Sequence, residues 1–412
     1  MTTYFLSNIV VVNNLRYFCV DNLFFVKTRP MKNIVGQTPR GDDFFKRDYI
    51  IKKIYRRLDA GNHLFLSAPR RAGKTSIMRY LEDFPKEGYA FIYINTEDIA
   101  DGEEFFKLIA NELLNSSAIE KMTKVSEGSK SIFRQFAENI SKIKIWNFEV
   151  QLNKGQPPKY KDELENLMRK LHTESFKIVI MLDEFPVTIE NIKKVKSERE
   201  AVNFLHINRS IRQQANQGIQ FIYTGSIGLP TIASRLKATA TLNDLNTLEI
   251  PPLSIEEAST FSKQILDTYQ VRYDEEVIPY MLAKLQWLMP FFIQLVIQVM
   301  IDEFDERNIA LEISSVDRAM LKSSTHRSNL YFDNYLTRLD KSLPVKESAT
   351  AKRILMEIAS KNEVPSDTFK HLKGATSVLE MLELDGYINS QSSTYRFNSP
   401  ILRDWWKKHA KN

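Results

Sequence analysis

The sequence predicts an α/β protein: a parallel sheet with helices on both faces, then a helical unit, then a small module of three helices and a β-wing. Three observations carry this. Strand-length apolar runs alternate with helical periods between Ile50 and Ile250. The segment Gly73-Lys74-Thr75 stands between the first of those strands and the helix after it. From Ser254 onward the strand signal stops and apolar residues recur at helical spacing.

Ile50–Leu58 has a helical period and stops at Gly61-Asn62. His63–Ala68 is a short apolar run, expected as a buried strand, and Pro69–Gly73 is a turn. Lys74–Phe84 returns to helical spacing, with Ile77, Met78 and Leu81 on one face. Tyr89–Asn95 is aromatic and β-branched, a second strand, and Glu103–Leu114 is a helix. Residues 115–160 are less regular and are expected as an insertion in the core domain. Within them Ile143–Leu152 alternates, with Trp146, Phe148 and Val150 on one side, as a hairpin strand does. Tyr160–His172 is helical, and the continuous apolar run Lys177–Leu182 is a central strand. Ser197–Gln217 is a polar helix before Gly218; Ile219–Thr224 and Leu248–Ile250 are further strands.

After Pro251-Pro252, helices are expected near 255–269, 275–287, 290–303 and 314–340, with a linker over Pro344–Ala349. Ala351–Ser360, Ser366–Leu372 and Thr376–Leu384 are three short helices. Tyr387–Asn389 and Tyr395–Asn398 are strands around the turn Ser390–Thr394, the order of a winged helix. The expected domains are thus an N-terminal extension (1–30), a core with its insertion (31–253), a helical lid (254–345) and a winged helix (346–412). The extension carries no motif and ends at Pro30-Met31. Two readings stay open for it: a start assigned too early, with Met31 as the working initiator, or a short strand or tail.

Bulk properties narrow the classes. The single cysteine, Cys19, excludes an intrachain disulfide and a cysteine-built zinc site, and fits a reducing, cytoplasmic compartment. No apolar run reaches the roughly 18 residues of a membrane span. The net charge of +6 permits contact with nucleic acid without requiring it.

Ala68-Pro69-Arg70-Arg71-Ala72-Gly73-Lys74-Thr75, followed by Ser76, fits the phosphate-loop template G-x-x-x-x-G-K-[ST] except that alanine replaces the first glycine. Such a loop turns its backbone N–H groups toward phosphates, and the following helix presents its positive end. Lys74 is expected to reach the β- and γ-phosphates, and the Thr75 hydroxyl to hold Mg²⁺. Ile178–Glu184 reads Ile-Val-Ile-Met-Leu-Asp-Glu, an apolar strand ending in two carboxylates. Asp183 is expected in the Mg²⁺ shell and Glu184 as general base for the attacking water. Thr224 or Ser226, in Tyr223-Thr224-Gly225-Ser226, could sense the γ-phosphate; an ordinary strand-to-turn Thr-Gly-Ser is the competing reading. The absence of an Asn-Lys-x-Asp stretch leans toward ATP over GTP.

These motifs resemble the archaeal-type ATPase family, a branch of the AAA+/STAND P-loop ATPases related to origin-recognition ATPases. The matching residues are Gly41–Arg47, Ala68–Ser76, Met181–Pro186, Thr224–Ser226, Ile250–Ala258 and Phe397–Trp406, over roughly residues 31–412. The resemblance implies an ATPase core, a helical lid and a C-terminal winged helix. It places Phe44 and Arg47 near the adenine and Pro290 at a lid position that touches nucleotide. Leu288-Met289-Pro290 keeps the proline of that motif and lacks its glycine, and no arginine stands at an obvious lid-sensor position. Arg235 stands where relatives place an arginine acting on a neighbour's ATP; a surface arginine is the plainer reading. The expected function is an ATP-driven switch with slow hydrolysis, self-association or a protein partner, and no membrane. An ATP-gated DNA loader and a weakly hydrolysing scaffold remain alternatives. DNA reading is weakly supported, because Thr376–Leu384 contains no Lys or Arg.

Overall fold

The computed structural model describes residues 9–12, 15–20, 23–27, 30–117, 127–148, 159–171, 176–215, 218–225, 228–391 and 393–410. Three strands open the chain: β1 (Ile9–Val12), β2 (Leu15–Val20) and β3 (Leu23–Lys27). They form an antiparallel meander in which Val10 faces Tyr17 and Phe18 faces Phe25. Three strands thus stand here, where one reading of the sequence suggests a short strand or a tail.

The chain forms two compact units. One comprises Met1–Phe45, Pro252–Asn334 and Asn398–Asn412; the other comprises Lys46–Pro251 and Tyr335–Phe397.

The second unit begins with α1 (Asp48–Asp59), which buries Ile50, Ile51, Ile54 and Leu58 along one face. Then come β4 (His63–Ser67), α2 (Lys74–Asp83), β5 (Tyr89–Asn95) and α3 (Gly102–Asn115). The Asp101 side chain caps α3 by accepting from the Glu103 and Glu104 amides. Next are α4 (Glu127–Phe148), α5 (Tyr160–Lys170), β6 (Lys177–Asp183), α6 (Phe185–Val195) and α7 (Glu198–Gln214). The core part closes with β7 (Ile219–Thr224), α8 (Leu229–Arg235) and β8 (Leu245–Glu249).

All ladders of this sheet are parallel, and the strand order is β5-β6-β7-β4-β8. The strand carrying Asp183 is therefore not beside the strand that leads into the Gly-Lys-Thr loop. β7 lies between them, with Thr224 level with Leu66. Helices cover the sheet, as the nearly complete burial of β6 and β7 requires.

The expected hairpin strand is corrected. Ile143–Phe148 lies in the 22-residue helix α4 and is not a hairpin strand. Buried Phe133, Phe136, Ile140 and Ile143 recur at steps of three and four, and that period outweighs the local alternation at its end. The rest of the expected strand, residues 149–152, lies outside the described residues. The four buried side chains join the main core with Phe105, Leu164 and Leu167, so α4 is part of the core. The stretch Phe185–Val195, unassigned from sequence, is α6; Pro186 sits in its first turn, where a missing N–H costs nothing.

A buried ion pair ties α7 to the entrance of β8. Arg212 donates from Nε to Asp244 Oδ2 at 2.6 Å and from Nη2 to Asp244 Oδ1 at 2.9 Å. It also donates to the Thr241 carbonyl and the Tyr223 hydroxyl. Burial, followed by the Arg212 charge, lowers the His63 pKa to about 4, so this imidazole is neutral. Its Nδ1 accepts from the Phe221 amide, which leaves Nε2–H to donate to the Arg212 carbonyl.

The first unit is helical after its meander: α9 (Ile255–Thr268), α10 (Val277–Leu285), α11 (Pro290–Arg307) and α12 (Ile313–Ser323). Ser254 and Glu257 close a capping box at α9. α11 is apolar around most of its circumference and is buried along Phe291–Ile297. The single helix expected over 314–340 is two. Ser324 and Thr325 hydroxyls bond back to the Leu321 and Lys322 carbonyls, which competes with the helical ladder. A 3₁₀ turn follows at His326–Ser328 before α13 (Asn329–Ser342).

Pro344 caps α14 (Val345–Lys361), so helix stands where a linker was expected. β9 (Glu363–Pro365) follows, then α15 (Ala375–Leu384), β10 (Ile388–Gln391) and β11 (Thr394–Phe397). These strands form an antiparallel sheet in the order β10-β11-β9. Ser366–Leu372 is not a helix but successive three-residue turns, closed by Thr368, Lys370 and Leu372 amides. The last helix, α16 (Pro400–His409), buries Trp405 and Trp406 completely, and the Trp405 indole donates to Asn329 Oδ1 at 2.8 Å. Both tryptophans are packing residues. Among the described residues no helix is long and apolar enough to cross a membrane.

Candidate functional site

The candidate site forms where β4, β6 and β7 end. β4 hands the chain to the loop 68–73 at the carboxyl edge of the sheet. Gly73 (φ +87°) and Arg71 (φ +67°) are left-handed; glycine adopts this freely, whereas arginine stores strain. A Cβ on Gly73 would meet nothing within 4 Å, so the demand there is conformational and not steric. Ala68, in the place of the template's first glycine, is not left-handed, which explains why alanine serves.

Lys74 opens α2 and is 7% exposed. Its ammonium folds back over the loop and donates to the Ala68 and Pro69 carbonyls at 2.8 and 3.0 Å. Burial pulls its pKa down to about 8; Glu184 and Asp183 act to raise it, and Arg338 to lower it. Thr75 Oγ1 donates to Asp183 Oδ2 at 2.7 Å. The two motifs, 108 residues apart in the chain, thus meet.

Asp183 is 3% exposed and fully engaged. Oδ2 also accepts from the Tyr93 hydroxyl at 2.9 Å, and Oδ1 accepts from the Glu184 amide at 3.0 Å. The Arg79 guanidinium lies 3.5 Å from the Tyr93 ring centre and fixes that phenol. Behind them, Thr96 donates to the Asp183 carbonyl, and Thr188 donates to Thr96. Glu184 is left-handed (φ +56°) at the N-cap of α6, a strained position for a large side chain. Burial, and then the Glu184 charge, raise the pKa of neighbouring Glu97.

Thr224 is fully buried and its hydroxyl donates to the Leu66 carbonyl at 3.4 Å, so the end of β7 is stitched to the strand before the loop. Ser226 lies outside the described residues. Gly225 is set by steric need: a Cβ there would lie 2.4 Å from Pro186 Cδ and 2.7 Å from Cγ. This contact holds the end of β7 against the start of α6, directly after Glu184. Gly225→Ala is expected to lower stability by about 1–3 kcal/mol, as overpacking against a rigid ring does, checked by urea unfolding. An unchanged midpoint would mean that α6 moves freely at this point.

The other expected residues are more dispersed. Arg235 ends α8 and pairs with Glu347 of α14 at 3.3 Å. Arg47 is 3% exposed and donates to the Pro251 carbonyl at 2.7 Å and to the Tyr49 hydroxyl, locking the start of the core to the exit of β8. Ser76, 6% exposed, faces the core from α2. Arg70 lies 6.0 Å from the Tyr335 ring centre. Phe44 follows the 3₁₀ turn Gly41–Asp43 and Pro290 begins α11; both belong to the first compact unit, while the rest belong to the second.

The chain matches no family model and no curated protein. Among solved structures it resembles a Walker-type ATPase of Pyrococcus abyssi, with a TM-score of 0.59 and 17% identity over 92% of this chain and 98% of that one. The fold is that of a P-loop NTPase of the AAA+-like kind. The ORC2 protein of Aeropyrum pernix, solved in ADPNP–ADP complexes, aligns with a TM-score of 0.48 and 12% identity over 87% of this chain and 90% of that one. The Cdc6p protein of Pyrobaculum aerophilum aligns with a TM-score of 0.39 and 10% identity over 90% and 99%.

Sequence reasoning passed over the support behind Asp183, namely Tyr93, Arg79, Thr96 and Thr188. It also passed over Arg338 of α13 and Asp385 after α15, both buried in the same unit as the loop. The alternation of β5 offered a signal for Tyr93, which lies in register with Met181. None existed for Arg338, which is one arginine in an amphipathic helix.

Proposed function

We propose that the chain binds ATP with Mg²⁺ at Ala68–Ser76 and hydrolyses it slowly, as a nucleotide-driven switch. The observation that carries this reading is the 2.7 Å contact between Thr75 Oγ1 and Asp183 Oδ2 beside the buried Lys74 ammonium. Mg²⁺ is held by few protein oxygens, with phosphate and water completing its octahedron, and a hydroxyl and a carboxylate at this spacing suit it. The fit extends to the loop: left-handed Arg71 and Gly73 and the start of α2 suit a phosphate group.

Lys74 would exchange its two carbonyl partners for phosphate oxygens. Thr75 and Asp183 would hold the cation, which when bound offsets the charge on the β- and γ-phosphates. Glu184 would take the proton of the attacking water, with Thr224 or Ser226 positioned by the end of β7. We read residues 346–412 as a winged-helix module that follows the state of the terminal phosphate. The position of residues 346–397 in the same compact unit as the loop supports that reading. Arg235 would act on a neighbouring copy's nucleotide after leaving Glu347. The exposed face of α15 offers Thr376, Ser377 and Glu380, and favours a protein partner over duplex DNA. We place this activity in the cytoplasm, given a single cysteine and no long apolar helix.

The test is steady-state ATP hydrolysis by the wild type and Lys74→Ala, with and without duplex DNA. Turnover that requires Lys74 and ignores DNA is the expected result. Stimulation of several-fold by duplex would move an ATP-gated DNA binder ahead. Turnover that survives Lys74→Ala would overturn the site.

A further inference from the structure

Tyr93, in the outer strand β5 of the parallel sheet, is held at its amide, its ring and its hydroxyl. Its amide donates to Glu82 Oε1 at 3.1 Å. The Arg79 guanidinium covers its ring at 3.5 Å. Its hydroxyl donates to Asp183 Oδ2 at 2.9 Å. Arg79 Nη1 also donates to Glu82 Oε2 at 2.8 Å, so the two α2 side chains that hold the tyrosine are locked to each other. Thr75, Arg79 and Glu82 follow one another at steps of four and three, which places them on one face of α2. The helix that supplies the Thr75 hydroxyl therefore also supplies the clamp on Tyr93.

The direction of that hydroxyl carries the argument. A tyrosine in an outer strand that served only for packing would bury its ring and leave its polar tip in water. Here the tip turns inward, onto the carboxylate beside Thr75. Asp183 Oδ2 accepts from Thr75 at 2.7 Å and from Tyr93 at 2.9 Å, while Oδ1 accepts from the Glu184 amide at 3.0 Å. A carboxylate offers about four acceptor sites. Donors from α2, from β5 and from the next residue of the chain fill three of them, so the carboxylate cannot turn without breaking a hydrogen bond. The donor chosen is also neutral. A phenol fixes the carboxylate and leaves its charge available to a cation, whereas an arginine or lysine in that place would compete with one. The nearby guanidinium, Arg79, is spent on Glu82 and on the face of the ring.

We propose that Tyr93 is a positioning residue for the divalent cation: it fixes the orientation of the Asp183 carboxylate, is itself fixed by Arg79 and Glu82, and so sets the preference of the site for Mg²⁺ over Ca²⁺. The inference rests on the nucleotide-binding reading above and adds to it a group that reading does not use. Mg²⁺ requires a near-ideal octahedron, whereas Ca²⁺ accepts six to eight oxygens in looser geometry. A carboxylate free to turn therefore costs Mg²⁺ more than Ca²⁺. Partners that orient a metal ligand without touching the metal are worth about 10–100-fold in affinity. In the sequence Tyr93 is one aromatic residue of an apolar strand, and Arg79 one charge on an amphipathic helix.

The test is isothermal titration of ATP into the full chain in Mg²⁺, in Ca²⁺ and in EDTA, for the wild type, Tyr93→Phe, Arg79→Met and Lys74→Ala. Tyr93→Phe removes one oxygen and keeps the ring under Arg79. It is expected to weaken ATP binding about tenfold in Mg²⁺, less than about threefold in Ca²⁺ and less than about twofold in EDTA. Arg79→Met keeps the hydroxyl but frees the ring, and is expected to act in the same direction by about threefold in Mg²⁺. A tyrosine that only ties β5 to β6 would shift the urea midpoint and leave the ratio of affinities in Mg²⁺ and EDTA at its wild-type value. That result, or equal losses in all three media, would overturn the proposal. If Tyr93→Phe does not fold, Arg79→Met decides by the same ratio, and an unchanged ratio refutes the assignment. Wild type that binds ATP in none of the media overturns the nucleotide site itself. Wild-type affinity equal in Mg²⁺ and EDTA overturns the role of the cation and this inference with it. Binding that requires both Lys74 and Mg²⁺ but ignores Tyr93 overturns only the present inference.

Discussion

Glu184→Gln is expected to cut ATP turnover by about 10²–10⁴-fold while ATP affinity stays within about threefold of wild type. The substitution keeps the size and hydrogen-bonding reach of the side chain and removes only its ability to accept a proton. Glu184 stands at the end of β6, next to the carboxylate that contacts Thr75, in a left-handed conformation that a side chain of this size adopts at a cost. Strain at that position is consistent with a residue aimed for chemistry. Binding should survive because Lys74, Thr75 and the loop amides are untouched. Single-turnover hydrolysis and equilibrium binding on the same preparation give both numbers. Turnover at the wild-type rate would remove Glu184 from the reaction.

Asp244→Ala is expected to destabilise the chain by about 3 kcal/mol, at the low end for breaking a buried pair because Asp244 is 20% exposed. The Arg212 side chain is 1% exposed and would keep its charge with two neutral acceptors left, Thr241 and Tyr223. The pH dependence has a definite sign. Burial alone would raise the Asp244 pKa, but Arg212 hydrogen bonding and charge bring it below the ordinary value. A carboxylate depressed in the folded state contributes stability above its unfolded pKa and loses it as pH falls through the folded one. The difference between wild type and Asp244→Ala should therefore be constant near neutrality and shrink only below the usual carboxylate range. Urea unfolding of both proteins at pH 7 and at pH 3 measures it. A midpoint insensitive to the substitution would mean that Arg212 is satisfied by its neutral partners.

Local signals read well wherever one face or one motif decided the outcome. The strands Tyr89–Asn95 and Ile219–Thr224 match their apolar runs residue for residue, because β-branched and aromatic residues in buried strands leave little choice of conformation. Reading failed where two local preferences competed. Trp146 and Phe148 alternate, yet the longer period from Phe133 to Ile143 makes them the end of a helix. Ser323–Thr325 look helical by period, yet the Ser324 and Thr325 hydroxyls bond back to the preceding turn and break it.

By itself the sequence determined the loop 68–75, the paired carboxylates 183–184 and the alternation that makes a parallel sheet. These depend on residue type at short spacing: a glycine for left-handed backbone, a lysine and a hydroxyl in the first helical turn, acids after an apolar run. Only the tertiary structure decided that β7 lies between the two motif strands, that Tyr93 and two threonines brace Asp183, and that Arg338 and Asp385 converge beside the loop. Those depend on strand order and on packing between segments distant in the chain, where burial converts an ordinary arginine and aspartate into a charged pair with unused donors. No spacing along the chain encodes that proximity.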